Sequence, residues 1–176
     1  MPNYRRAFIP GGTWFFTVNL LQRRGNHLLV SEIDLLPVTV KNVRDHHPFQ
    51  INAWVVLPEH LHCIWTLPPG DSDFSTRWRL IKSGFSRARP KTERRSEVRQ
   101  AAGERGIWQR HYWEHAIRDD ADYERHVDYV HMNPLKHGWV RRVSEWLYST
   151  FHRYVEKDIY PMDWCGDGSI SVAGDD

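Results

Sequence analysis

The 176-residue chain has little cysteine, little net charge and no long apolar segment. Its two cysteines, Cys63 and Cys165, are too few for a disulfide framework and lack the spacing of a metal site. The longest apolar run near the N-terminus, WFFTVNLL, is too short and too interrupted for a signal peptide or a membrane span. These absences argue against disulfide scaffolds and membrane-spanning proteins, and they predict a cytoplasmic protein that does not associate with membranes.

The formal charge of +2 conceals an uneven distribution. Residues 77–105 carry ten basic side chains and only three acidic ones, a local net charge of +7, whereas the C-terminal tail is acidic. Aromatic residues make up 13% of the chain, and nine of them are tryptophans. Cations that follow phosphates and rings that stack on bases are typical of proteins that bind single-stranded nucleic acid. We therefore expect such a partner, although most individual tryptophans are expected in the core.

The hydrophobic content of 40%, with 26% charged residues, indicates a folded globular chain whose length fits one domain. Apolar residues alternate along residues 11–22, where Trp14 and Phe16 share one face and Phe15 and Thr17 share the other, which predicts a strand. Further segments show either this alternation or a helical spacing. The predicted elements are strands at 11–22, 49–58, 60–68 and 107–119, and helices at 31–47, 71–89 and 119–132.

The order βαββαβ, followed by a further helix, predicts an α+β, ferredoxin-like fold with an antiparallel sheet. Helices are expected on one face of this sheet, which leaves the other face open for a site. Ser31 is expected to cap the first helix, Pro37 to kink or restart it, and the last helix to end or bend at Asn133, before a proline. Residues 1–165 are expected to form one domain and residues 166–176 a disordered acidic tail.

Two histidines interrupt an otherwise apolar strand in the segment PEHLHCIW. Side chains two residues apart point the same way along a strand, so His60 and His62 share one face, while Leu61 and Cys63 face the helices. Two adjacent imidazoles provide part of a metal site, and a third ligand must come from elsewhere. On its own, a His-x-His pair is short and common, and it equally fits two half-exposed strand residues.

A second pattern lies some seventy residues later, in DYVHMNPLKHG. Tyr129 and Asn133 are four residues apart and therefore share one face of a helix. The amide oxygen of Asn133 suits a hard divalent cation, and imidazole ligands extend the choice from Mg²⁺ to Mn²⁺. Tyr129 can act as a nucleophile. The two patterns together predict one active site, with metal ligands at His60, His62 and Asn133.

Four longer segments make the pattern more specific. In chain order they are NYRRAFIPGGTWFFTVNL, VVLPEHLHCIWTLP, WQRHYWEHAIRDDADYERHVDYVHMNPLKHGWV and WLYSTFHRY. With its His-hydrophobe-His strand and single later tyrosine, the chain resembles the HUH single-strand DNA endonucleases. Over about residues 3–164 it resembles more closely the REP-associated tyrosine transposases.

This resemblance implies that His60, His62 and Asn133 bind Mg²⁺ or Mn²⁺ and that Tyr129, on a C-terminal catalytic helix, is the nucleophile. It implies that the partners are single-stranded DNA hairpins, namely repetitive extragenic palindromes with a flanking tetranucleotide. The enzyme would nick and rejoin these hairpins through a 5′-phosphotyrosine intermediate. Insertion-sequence relatives act as dimers, whereas the REP-associated branch resembles a monomer with its own tyrosine in cis, so we expect a monomer.

The resemblance also implies that the N-terminal segment helps to read the tetranucleotide. Lys136, in NPLKHG, matches a lysine of the family and is expected to contact a phosphate. The basic segment at 77–105 is expected to lie beside this site and to contact the DNA backbone, although it also fits a solvated face. The predicted nucleic-acid contacts are Tyr4, Arg5, Arg6, Arg77, Arg79, Lys82, Arg87, Arg89 and Lys136.

Two other functions compete with this one. A ferredoxin-like sheet with exposed aromatic side chains can bind RNA or DNA hairpins without cleaving them. Such a binder, however, does not need Tyr129, His60, His62 and Asn133 in register. A metal-dependent hydrolase of small molecules is the other alternative, but the chain shows no additional acidic base or histidines for it.

Overall fold

The computed structural model describes residues 7–166 and 170–172. The predicted contacts Tyr4, Arg5 and Arg6 lie outside these residues. The strands are β1 (Thr13–Asn19), β2 (Gln50–Val56), β3 (His60–Thr66) and β4 (Trp113–Ala116). The helices are α1 (Leu28–Ser31), α2 (Leu35–His46), α3 (Phe74–Arg87), α4 (Glu97–Ala101), α5 (Asp120–Lys136) and α6 (Phe151–Glu156), with a 3₁₀ turn at Val143–Glu145.

The four strands form one sheet in the order β2-β3-β1-β4, with antiparallel pairing throughout. This arrangement confirms the predicted α+β, ferredoxin-like fold. The chain turns between β2 and β3 at Pro58 and Glu59, and the N–H of Leu57 donates to the carbonyl of His60 at 2.9 Å. The tight hairpin therefore places His60 at the start of β3, immediately after the turn.

Both faces of the sheet are covered, which corrects the prediction of one open face. On the first face, Trp14 and Phe16 pack with Leu61 in the core beneath α2 and α3. On the second face, Phe15 and Ile64 pack in a separate core with α5. The prediction failed because α5 has an apolar face of its own, and this face packs against the second face of the sheet.

The helix predicted at 31–47 corresponds to α2 (Leu35–His46), and α1 (Leu28–Ser31) lies before it. Ser31 ends α1, where its hydroxyl donates to the carbonyl of His27 at 2.9 Å, so it does not cap α2 as predicted. Pro37 lies in the first turn of α2. N–H groups in the first turn have no helical acceptor, so proline is tolerated there and the helix restarts before it, as expected.

Helix α5 does not end at Asn133, which was one of the two outcomes predicted there. It continues through Pro134 to Lys136, and the N–H of His137 donates to the carbonyl of Asn133 at 3.0 Å. Pro134 lies in the last turn and removes at most one helical hydrogen bond. The extra turn carries Lys136 alongside the residues that precede the proline.

The C-terminal segment contributes to the second core. Ile170 and Val172, which were expected in a disordered tail, are partly buried against the core beneath α5. Residues 167–169 and 173–176 lie outside the described residues. No helix in the described part of the chain is both long enough and apolar enough to cross a membrane.

The basic segment at 77–105 starts on α3, which covers the first face of the sheet. Arg79 and Arg87 are exposed, whereas Lys82 and Arg89 are partly buried in intramolecular contacts. Their roles as DNA contacts remain predictions, but their helix lies on the face of the sheet opposite α5. The part of the basic segment that lies on α3 is therefore not beside the two histidines, contrary to the expectation from the sequence.

Arg77 is buried, contrary to its predicted place on the outer face of α3. The guanidinium is held by hydrogen bonds of 2.7 to 3.2 Å to three main-chain carbonyls and one carboxylate. The acceptors are the carbonyls of His47, Pro48 and Asp73 and the carboxylate of Asp71. Arg77 therefore joins the ends of α2 and α3, which is a structural role.

We predict that Arg77→Met lowers the free energy of unfolding by about 1–3 kcal/mol, because it leaves buried acceptors without a donor. Arg79→Met, on the exposed side of the same helix, should change it by no more than about 0.5 kcal/mol. Urea denaturation followed by circular dichroism measures both variants. Unchanged stability of Arg77→Met together with weaker DNA binding would restore the predicted role in DNA contact.

Candidate active site

Helix α5, which carries Tyr129 and Asn133, packs against the strand that carries His60 and His62. His60 and His62 lie on the second face of the sheet, each only 2% exposed. The ring of Tyr129 contacts the ring of His62 edge-on, with 5.2 Å between their centroids. Asn133, one turn further along α5, is fully buried. His60, His62 and Tyr129 therefore lie together in one chain, and Asn133 lies one turn of α5 beyond Tyr129.

Hydrogen bonds orient both imidazoles. Nδ1 of His62 lies 2.8 Å from the hydroxyl of Thr17, its neighbour on β1. Nδ1 of His60 lies 2.9 Å from a carboxylate oxygen of Glu59, and a carboxylate can only accept, so the ring donates from Nδ1. A histidine that donates from one ring nitrogen has the lone pair of the other available for a metal ion.

Several polar atoms at the centre of this group have no hydrogen-bond partner within the described residues. They are Nε2 of His62 and both polar side-chain atoms of Asn133, and all three are buried. Burying an unpaired polar atom costs free energy, so a ligand that pairs with these atoms would be favoured. A divalent cation bound by Nε2 of His62 and Oδ1 of Asn133 would satisfy two of them. The residues therefore fit a metal site.

The electrostatic environment keeps His62 neutral. Burial is the largest cause that holds the pKa of His62 well below its usual value, followed by the charges of His60, His137, Lys136 and Arg23. A neutral imidazole has the lone pair that a metal ion needs, whereas an imidazolium does not. The low pKa therefore keeps this side chain competent as a ligand at neutral pH.

Tyr129 is enclosed by rings and by one cation. The Nζ atom of Lys136 lies 5.1 Å from the centroid of its ring, and Phe15 packs against it edge-on with 5.9 Å between centroids. Tyr129 is 1% exposed, so a DNA phosphate reaches it only when neighbouring side chains move. The ammonium group is placed to stabilise negative charge that develops on the phenol.

A second polar cluster joins β4 to the start of α5. His115, Asp122 and His126 present possible ligand atoms within 4.8 Å of one another. Three of the possible ligand atoms are in use, because Nε2 of His115 bonds the carboxylate of Asp122 at 2.8 Å and Nδ1 of His126 bonds the carbonyl of Asp122 at 2.7 Å. Oδ1 of Asp122 and Nε2 of His126 have no hydrogen-bond partner among the described residues. The two imidazoles also stack, with an interplanar angle of 13°, so their lone pairs do not converge on one point. The cluster is better described as a clamp that fixes α5 against the sheet.

The charge of Asp122 is essential to this clamp. Burial alone would raise its pKa, but hydrogen bonds from the His115 ring and the Arg118 backbone N–H outweigh burial and lower the pKa to about 2. Asp122 and His126 are four apart on the helix that carries Tyr129, and this spacing was the signal in the sequence. Sequence reasoning missed the cluster because its third member, His115, comes from a separate strand.

Two arginines that were not predicted as site residues also lie near the site. Arg23 and Arg24 follow β1 in the segment QRRGNH, and Nη2 of Arg23 lies 3.5 Å from the carboxylate of Glu59, which binds His60. Among the predicted DNA contacts that the structure describes, Lys136 is the one that lies beside Tyr129. The signal that could have found the two arginines was their position at the end of a strand adjacent to the histidine strand.

The chain is similar over its whole length to proteins of one family. A REP-associated tyrosine transposase of Escherichia coli (strain K12) is 53% identical over 175 residues, which cover 99% of this chain and 98% of that protein. The chain belongs to the REP-associated tyrosine transposase family. A relative from Haemophilus influenzae (strain ATCC 51907 / DSM 11121 / KW20 / Rd), provisionally given the same family name, is 43% identical over 176 residues, or 99% of each chain.

The fold agrees with this family. A solved structure of a REP-associated tyrosine transposase bound to a REP hairpin superposes with a TM-score of 0.85 and 51% identity, and covers 100% of this chain and 98% of the other. The chain matches no family model. The resemblance inferred from the four quoted segments is thereby confirmed. As a tyrosine transposase of this family, the chain is a DNA-cleaving and rejoining enzyme.

In this member of the REP-associated transposases, we predict that Asp122→Asn lowers the free energy of unfolding at pH 7 by about 2 kcal/mol. The folded pKa of about 2 lies below the unfolded value of about 3.9. The ionised carboxylate therefore stabilises the fold above about pH 4, and this contribution disappears as the pH falls towards 2. The difference between variant and wild type should shrink over the same range.

Urea denaturation at pH 7, 4 and 2.5 measures this dependence. The matched control is Asp120→Asn, because Asp120 is exposed in the first turn of the same helix. A constant difference between Asp122→Asn and wild type at all three pH values would show that the charge of Asp122 does not hold α5.

Proposed function

We propose that this chain is a metal-dependent single-strand DNA endonuclease and strand-transferase that nicks and rejoins REP hairpins through a 5′-phosphotyrosine intermediate. The observation that carries this proposal is the contact between Tyr129 and His62. His62 and Asn133 also have buried side-chain atoms without a hydrogen-bond partner, which could bind a metal ion. A nucleophile next to an incomplete metal site is the arrangement that phosphodiester cleavage requires. The similar transposase whose structure is solved with a REP hairpin supports the substrate.

The residue roles follow from their positions. Tyr129 is the nucleophile, and His60, His62 and Asn133 hold Mg²⁺ or Mn²⁺. When bound, the metal ion polarises the scissile phosphate and offsets charge on its oxygens. Thr17 and Glu59 keep the two imidazoles in the ligating orientation. Lys136 stabilises the phenolate of Tyr129 or a neighbouring phosphate, since its ammonium group lies over the tyrosine ring.

The cleavage step exchanges one phosphoester bond for another. The phenol of Tyr129 loses its proton, its oxygen forms a bond to phosphorus, and the bond from phosphorus to the 3′ oxygen breaks. The 3′ oxygen takes up a proton and leaves as a hydroxyl, while the 5′ phosphate stays on the tyrosine. Attack by a 3′ hydroxyl reverses these steps and releases Tyr129. Rejoining therefore needs no ATP, because the phosphotyrosine retains the energy of the broken linkage.

We further propose that the enzyme works as a monomer with its own tyrosine, on DNA in the bacterial cytoplasm. The support for cis action is that Tyr129 contacts His62 within one chain. A tyrosine supplied by a partner subunit would instead lie away from the histidines of its own chain. The competing function, hairpin binding without cleavage, does not account for the unpartnered atoms of His62 and Asn133.

We predict that wild-type protein incubated with a labelled hairpin and Mg²⁺ or Mn²⁺ forms a covalent adduct that survives a denaturing gel. Tyr129→Phe should form none, because the attacking oxygen is absent. Tyr123→Phe is the matched control on the same helix and should keep the adduct. EDTA should abolish adduct formation by wild type.

Three outcomes would contradict the assignment. Absence of any adduct with wild type on all cognate-like hairpins would favour a non-catalytic binder. An adduct with Tyr129→Phe that is lost with Tyr123→Phe would move the nucleophile to Tyr123. Full cleavage in the presence of EDTA would remove the metal from the mechanism.

We predict that a mixture of His62→Ala and Tyr129→Phe proteins remains inactive. Each variant lacks one half of the site, and a cis enzyme cannot combine the halves of two chains. The adduct assay measures this at concentrations up to those that favour dimers. Recovery of a substantial fraction of wild-type cleavage in the mixture would show that the tyrosine acts in trans.

A further inference from the structure

A cavity lies beside the proposed metal ligands, between the β1–α1 loop at 21–27 and the segment that follows α5. Its volume is about 480 Å³, within the usual range of ligand pockets. Its lining includes Glu59, which orients His60, but not Tyr129, His60, His62 or Asn133. The lining residues are Arg23, Arg24, Gly25, Asn26, His27, Glu59 and Trp139.

The loop that forms one wall is held in its conformation by its own hydrogen bonds. The N–H of Asn26 donates to the carbonyl of Arg23 at 3.1 Å, and Gly25 adopts a φ of 66°, which favours glycine. The amide oxygen of Asn26 accepts from the N–H of Leu28 at 3.0 Å, and its amide nitrogen donates to Gln22. The wall is therefore preformed, which lowers the cost of ordering it around a ligand.

The cavity adjoins the candidate active site through Glu59. This carboxylate bonds Nδ1 of His60 at 2.9 Å and pairs with Arg23 at 3.5 Å. On the other side, the ring of His137 lies 5.4 Å from that of His60, and Trp139 follows two residues later. A DNA strand whose scissile phosphate is at Tyr129 therefore has this cavity next to it.

The two walls present complementary groups for one nucleotide. Arg24 is exposed and has no ion-pair partner among the described residues, unlike Arg23, which is paired with Glu59. Trp139 is 44% exposed, and the ring of His27 meets it edge-on at 5.7 Å between centroids. A guanidinium group suits a phosphate, and an exposed indole suits the face of a base.

We propose that this cavity binds one unpaired nucleotide of the strand that carries the scissile phosphate. Arg24 contacts the phosphate of that nucleotide, and its base stacks on Trp139. The proposal rests on the proposed function, because the cavity is a strand-binding site only if Tyr129 cleaves DNA beside it. It assigns to the β1–α1 loop a recognition role separate from that of the basic segment on α3.

The test compares two hairpins with the same stem in a cleavage-inactive Tyr129→Phe background. One hairpin has unpaired nucleotides on both sides of the stem and the other ends flush. Arg24→Gln and Trp139→Ala should each weaken binding of the flanked hairpin about five-fold or more, because a stacked base or a phosphate contact is lost. Binding of the flush hairpin should stay within about two-fold.

Two controls separate recognition from folding. Trp139→Phe keeps an aromatic face and should recover most of the affinity that Trp139→Ala loses. Lys41→Gln removes an exposed cation on α2, on the opposite face of the sheet, which has no predicted DNA contact, and it should leave binding of both hairpins unchanged. A fluorescent base analogue placed at each unpaired position should be quenched at one position, and Trp139→Ala should remove that quenching.

The outcomes distinguish this proposal from the function on which it rests. If wild type forms the adduct but Arg24→Gln and Trp139→Ala bind the flanked hairpin as tightly as the background, the nucleotide site is wrong and the enzyme assignment stands. Equal weakening on both hairpins also overturns it, since the stem is then what these residues contact. If wild type neither binds flanked hairpins nor forms an adduct, the proposed function and the nucleotide site are both wrong.

Discussion

The packing of α5 across the second face of the sheet is the constraint on which the candidate active site depends. Strand β3 presents His60 and His62 to that face, but a nucleophile and an amide ligand reach them only if the helix lies above this strand. The apolar contacts of α5 with Phe15 and Ile64 supply much of the packing, and the Asp122 clamp adds a directional connection to β4. Geometry at the site is thus a consequence of helix packing rather than of a local motif.

This packing comes at a cost in unsatisfied polar groups. The described residues leave His62 and Asn133 with buried atoms that have no partner, within a region otherwise filled by aromatic and aliphatic side chains. Burial keeps His62 neutral, and low polarity around the site strengthens the electrostatic effect of any ion bound there. Stability is therefore lower than an apolar site would provide, and the proposed metal ion would offset this cost by pairing with these atoms.

Local patterns were sufficient for much of the fold. Alternation along β1 and β3 correctly separated residues such as Phe15 and Phe16 onto opposite faces, and the element order predicted the sheet topology. The predicted helix ends were less accurate, because a proline such as Pro134 is tolerated near a helix terminus, where it removes few hydrogen bonds. Arg77 was misplaced for a different reason. Its burial depends on carbonyls at the end of α2, and the residue pattern of α3 contains no information about them.

Sequence periods establish which residues of one element share a face, since these periods follow from backbone geometry. For this chain they paired His60 with His62 and Tyr129 with Asn133, and the longer segments indicated the family. Only the tertiary structure decided which surfaces meet, because that choice depends on apolar contacts between residues far apart in sequence. It placed α5 over the histidines and the basic helix α3 behind the sheet. It also brought the arginine loop after β1 next to His60.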